Sequence, residues 1–230
     1  MIERIRSGVR GARRDDGLTL IELLVAMGLF AVLLAIVGGT FYSITRATTF
    51  AVARDQNSRN ASNAMNEIVR QVRAAADNPR TGASDSPAFI SAGTSAVQFT
   101  TLVATGRDAV PQQVTFSVSA AGVLTETIVA GSTTDNAYFT FSGSGSTSTI
   151  ASSIELPASG GTPIFQYLDG NSVALTPNAA GVLTADQIGQ IAFVQVTLRL
   201  SSSASTLKNG ITLQNTVGLP NLLQPTGDST

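Results

Sequence analysis

Apolar residues crowd the chain from Leu18 to Thr45, and beyond that stretch they fall into two different periodicities. From Leu23 through Thr45 there are 23 uncharged residues, mostly Leu, Val, Ala, Ile and Gly. As an α-helix rising ~1.5 Å per residue, that run extends about 35 Å, enough to cross a bilayer core of about 30 Å. After a polar interval at Asp55–Asn60, Ala61, Ala64, Met65, Ile68, Val69, Val72, Ala75 and Ala76 recur at three- and four-residue steps. That spacing is one apolar stripe of a helix, with Glu67, Arg70 and Arg73 off it as solvated positions. Asp77-Asn78-Pro79 is a stop, because the residue before proline disfavours the helical conformation. The pattern therefore predicts one helix from about Leu18 to Ala76, on the order of 90 Å long. Gly28, Gly38 and Gly39 are weak points in it, each costing about 1 kcal/mol relative to alanine. They suit either close packing between membrane helices or a place where the helix bends or melts.

Past Pro79 the period changes to two. Val97, Phe99, Thr101 and Val103 alternate with polar or small neighbours, as do Val114, Phe116 and Val118. Ala192, Val194, Val196, Leu198 and Leu200 give the clearest strand, and Ile211, Leu213, Asn215 and Val217 another. Shorter candidates are Val123–Val129, Ala137–Phe141, Ile164–Leu168 and Ser172–Thr176. Alternation of this kind predicts antiparallel sheet covered on one side, with the stripe of Ala61–Ala76 as the cover. Loops are expected at Thr81–Pro87, Ala158–Thr162 and Pro177–Gly181, and Ser142-Gly143-Ser144-Gly145-Ser146 reads as a flexible exposed tip.

The expected fold class is α+β: a long N-terminal spine helix, half membrane-spanning and half amphipathic, packed on a C-terminal antiparallel β domain. Residues 1–17 form a polar leader, 18–45 the transmembrane helix and 46–78 its amphipathic continuation. Residues 79–219 form the β-rich domain and 220–230 an irregular tail.

Charge sharpens this reading. Five of the fourteen basic residues (Arg4, Arg6, Arg10, Arg13 and Arg14) and only three acids fall within residues 1–17, a local net charge of +2. The rest of the chain carries −3. A basic flank before an apolar span predicts that this end stays in the cytoplasm and the C-terminal domain lies outside. No later Lys/Arg cluster exists, which argues against a nucleic-acid partner.

Composition narrows the chemistry. The chain has no cysteine and no histidine, which removes disulfides, thiolate nucleophiles, the usual zinc sites and the commonest general base. No G-x-S-x-G elbow accompanies the serine-rich stretches, and the single lysine, Lys208, reads as a turn charge. Gly143 and Gly145 fit no phosphate-binding loop. Asp169-Gly170-Asn171 lacks the spacing of a calcium loop and reads as a hairpin turn. Asn60-Ala61-Ser62 fits a glycosylation sequon but falls inside the expected helix. No catalytic residue, metal or cofactor is predicted.

What needs a reason is Glu22, a carboxylate inside the apolar run. An ordinary secretory signal has a short apolar region followed by its cleavage site; here the run is far longer. Gly17-Leu18-Thr19-Leu20-Ile21-Glu22-Leu23-Leu24, behind Arg13 and Arg14, resembles the signal of type IV prepilins and type II secretion pseudopilins. The resemblance covers residues 13 to about 40. It implies cleavage between Gly17 and Leu18 by a membrane prepilin peptidase, and N-methylation of Leu18. It also makes Glu22 the fifth-position glutamate, which neutralises the terminal amine of a neighbouring subunit. Leu18 stands where phenylalanine is most common, and Gly39 where many major pilins have proline.

The implied function is a structural, non-enzymatic subunit assembled through its N-terminal helix. Its partners would be other pilin or pseudopilin subunits, the peptidase, membrane lipid and an inner-membrane assembly platform. Cleavage at Gly17 leaves 213 of the 230 residues. That length, the amphipathic segment and the late strands resemble the larger minor subunits of J- or W-type. The expected location is the inner membrane, then the pilus or pseudopilus. Two other readings fit the same residues, a membrane-anchored binding module and an adhesive or DNA-uptake pilin.

Overall fold

The computed structural model describes residues 19–80, 82, 84–104, 109–135, 137–200 and 210–222. Helix α1 spans Leu20–Arg73, 54 residues without a proline. The chain divides between Thr49 and Phe50 into two units. In the first, the described residues are all helical after Thr19, and every side chain is exposed. Four threonine hydroxyls there turn inward on their own helix: Thr40, Thr45, Thr48 and Thr49 each donate to the carbonyl four residues back at 2.9 Å. This satisfies polar groups on an apolar helix with no outside partner.

In the second unit the helix has a buried face. Ala61, Ala64, Met65, Ile68 and Val72 are buried along it, as their spacing predicts, and Gln71 is buried with them. The helix stops at Arg73, three residues short of the expected Ala76. Ala74 and Ala75 donate to Gln71 and Val72, tightening the last turn. The chain then joins strand β2 (Ala96–Ala104): Ala76 N–H donates to Thr100 O and Leu102 N–H to Ala74 O, both at 3.0 Å. Pairing with a sheet edge replaces the last helical bonds, so the stop precedes the proline signal.

A five-stranded antiparallel sheet follows sequence order: β1 (Phe89–Ala92), β2, β3 (Ala109–Val118), β4 (Leu124–Ala130) and β5 (Ser146–Ala151). Val97, Phe116 and Glu126 face one another across β2, β3 and β4 on the buried side. A separate three-stranded antiparallel sheet runs β6 (Phe165–Leu168), β7 (Phe193–Leu200) and β8 (Ile211–Gly218). A short helix α2, Ala185–Ile188, precedes β7 and is capped by Thr184.

One core joins both sheets and the second part of α1. Phe89, Phe99 and Phe116 form an aromatic row with centroids 5.5 and 6.3 Å apart. Tyr167 of β6 meets Phe89 edge-on at 6.4 Å and donates to Gly93 O at 2.8 Å. Burial pushes its phenol well above the usual tyrosine range, so it remains a donor.

The architecture is the expected α+β one, with two sheets where a single covered sheet was anticipated. Two expected strands are absent. Around Ala137–Phe141, Asp135 accepts from the Ala137 and Tyr138 amides and winds the backbone into a turn, leaving one bridge between Ser132 and Thr140. In Ser172–Thr176, Ser172 sits at φ 63° in the Asp169 turn, and only Ala174 bridges to β6. Asp169-Gly170-Asn171 is thus the hairpin turn its composition suggested. Residues 142–145 are an exposed loop, as expected, and Ser146 already belongs to β5. A Cβ at Gly145 would lie 2.7 Å from the Thr127 methyl, so the run lies close over β4.

Candidate functional site

Helix α1 begins where two side chains complete each other. Glu22 Oε2 accepts from Thr19 N–H at 3.0 Å and from Thr19 Oγ1 at 2.9 Å. Thr19 Oγ1 accepts in turn from Glu22 N–H at 3.3 Å. The Thr19 carbonyl takes the first helical bond, from Leu23 N–H at 3.2 Å. This reciprocal pattern is a capping box, in which two orphan amides at the helix start are satisfied by the pair. The signal for it, Thr-x-x-Glu before an apolar run, is legible in the chain, and Thr19 joins Glu22 as a residue of the site.

Both Thr19 bonds fall on one carboxylate oxygen, and among the described residues Glu22 Oε1 has no hydrogen bond. Glu22 shares an open face of the helix with Ile21, Val25, Ala26 and Leu29. That face is open: Leu20 is 82 % exposed, and Leu24, Phe30 and Ile36 are all above 60 %. Such exposure of large apolar residues marks a surface made for lipid or for another helix.

An 18-residue window of α1 reaches a mean hydropathy of 2.8, so the helix is long and apolar enough to cross a membrane. Tyr42 and Arg46 end the apolar run, and along the axis Tyr42 lies about 30 Å from Glu22. That distance matches a hydrocarbon core, so the acid stands at one end of the span rather than at its centre.

Gly17 and Leu18, the predicted cleavage pair and methylation site, lie outside the described residues, as do the leader, Lys208 and most of the C-terminal tail. Among the described residues no three acidic side chains gather in a way that could hold a metal.

A long apolar helix with a capped acid at its start, followed by an antiparallel β domain, is the architecture of a pilin-like protein. Residues 12–38 match the family described as the prokaryotic N-terminal methylation motif. The chain therefore carries a type IV prepilin or pseudopilin signal, and with it a helix of the kind through which pilin subunits assemble. Among the described residues one helix is apolar and long enough to cross a membrane, which with the motif fits anchoring in the inner membrane. No curated protein and no solved structure gives a significant match to the chain.

Proposed function

We propose that this protein is a minor structural subunit, without enzymatic activity, of a type IV pilus or type II secretion pseudopilus. It enters the inner membrane with its N-terminus inside and its β domain outside. Prepilin peptidase cuts it between Gly17 and Leu18 and methylates Leu18, and the assembly platform lifts it from the lipid into the filament. The observation that carries this reading is the methylation motif over residues 12–38, whose described part lies on a helix exposed as far as Thr49. Assignment to the larger J- or W-type subunits rests on the amphipathic stripe of residues 61–76 and on strands β7 and β8.

Glu22 is the assembly charge in this reading. Cleavage before Leu18 creates a cationic amine next to Thr19, and in a filament the carboxylate of one subunit meets the amine of its neighbour. Glu22 Oε1, with no bond from its own cap, is the oxygen left for that contact. Pairing of the two charges removes the penalty of carrying either alone into an apolar assembly.

The test is the mature N-terminus. Intact mass and N-terminal sequencing of the protein from the membrane or filament fraction should give a chain beginning at methylated Leu18. A chain that keeps residues 1–17, or starts elsewhere, overturns the proposal and leaves the tethered binding module as the better description.

A further inference from the structure

Where α1 meets the five-stranded sheet, one polar side chain is as deeply buried as the core around it. Gln71 is 1 % exposed, on the same face as Ile68 and Val72. Its Nε2 donates to Glu67 Oε1, one turn earlier on the helix, at 3.0 Å, and to Glu126 Oε1 on β4 at 3.1 Å. Two carboxylate oxygens thus converge on one amide nitrogen. Glu126 is 5 % exposed, set between Phe116 on β3 and Ser148 on β5.

The charged groups facing Glu126 are Glu67 and Arg70, both from α1; its neighbours on β3 and β5 carry no charge. Arg70 is committed to Glu67, which it grips through Nε at 3.1 Å and through Nη2. Among the described residues Glu126 forms no ion pair. A buried carboxylate held beside a second one, with Arg70 spent on that second one, is unfavourable when both are ionised. One proton between the two relieves it.

We propose that Glu67 and Glu126 share a single proton beside Gln71, and that this proton is the latch that holds the amphipathic part of α1 on the five-stranded sheet. The two acids differ in which keeps the proton. Burial, followed by the Glu67 charge, pushes Glu126 above the usual carboxylate range. Burial also acts against the charge on Glu67, but hydrogen bonds from Arg70 and Gln71 outweigh it and hold Glu67 below that range. Glu126 is therefore the carboxylic acid of the pair and Glu67 the carboxylate.

The signs set the pH window. Glu126, raised on folding, contributes stability that is complete below the ordinary glutamate pKa and is lost as pH rises through its folded value. Glu67, lowered on folding, contributes stability above the ordinary value that is lost as pH falls through its own folded value. The latch is closed between the two limits and opens on the alkaline side when Glu126 ionises against Glu67.

The experiment is a carboxyl-carbon NMR titration of the full mature chain in detergent micelles, run on wild type, Glu126→Gln and Glu67→Gln. One glutamate signal is expected to titrate above the ordinary range, to vanish in Glu126→Gln, and to move down in Glu67→Gln. Thermal unfolding followed over the same pH series should show the wild-type midpoint falling as Glu126 ionises, while that of Glu126→Gln stays flat there. A Glu126 signal that titrates in the ordinary range overturns the proposal, and this wild-type measurement stands whether or not a variant folds. Parallel melting curves for wild type and Glu126→Gln overturn it as well.

Discussion

Glu22 meets two demands with different oxygens, Oε2 in the cap with Thr19 and Oε1 for a neighbour. As a capping pair Thr19 and Glu22 fix the first turn of α1, and as the acid of an assembly signal Glu22 keeps one oxygen for a partner. Substitution tests the two roles together. Glu22→Ala removes both and is expected to leave processing at Gly17 intact while impairing incorporation into filaments. Thr19→Ser keeps the hydroxyl, the cap and incorporation. Immunoblots of membrane and filament fractions read both outcomes; wild-type incorporation of Glu22→Ala would count against the charge-pair account.

The elements show where sequence patterns suffice. The stripe from Ala61 to Ala76 was legible because burial follows helical geometry, and Ala61, Ala64, Ile68 and Val72 are all fully buried. Ile68→Ala should then cost about 2–5 kcal/mol, the range for a buried Ile opened to a cavity. Exposed Arg73→Ala should change stability by no more than about 0.5 kcal/mol. Chemical denaturation of the two variants checks the contrast. β2, β3, β4, β6, β7 and β8 were legible from alternation for the same reason. β5 was not, since Ser146–Ala151 carries few apolar residues and owes its strand to β4, with which Thr127 and Thr147 exchange a hydroxyl bond at 2.8 Å. β1 is four residues long, too short for a period to register. The false strand at Ala137–Phe141 alternates well, but the Asp135 carboxylate captures its first amides locally. At the candidate site the methylation motif over residues 12–38 was legible. Gln71 and Glu126 were not, because the contact between them joins residues 55 apart in the chain.

In the molecule as a whole, apolar surface is treated in two opposite ways. The unit ending at Thr49 buries no side chain among its described residues, whereas the unit from Phe50 onward holds every buried core residue. The second unit therefore has what independent folding requires. A fragment beginning at Phe50 is expected to be soluble and monomeric and to melt in one cooperative transition; size-exclusion chromatography with circular dichroism checks this. Aggregation, or the absence of a transition, would show that the domain depends on the preceding helix for more than anchorage.

The shared edge of β2 has a mechanical meaning. Its first half is taken by β1, and its second by Ala74–Ala76 as the chain leaves α1. Thr100 closes the join, with its hydroxyl on Ala76 O at 2.8 Å. A tensile load applied along α1 thus enters the sheet at Thr100–Leu102, before it reaches any loop. The side chains of Ile68, Gln71 and Val72 brace the helix just ahead of that point. The join acts as a strain-relief fitting between a cable and its housing: traction on the helix is passed to β2, the second of five strands, and spares the loops beyond Asp77.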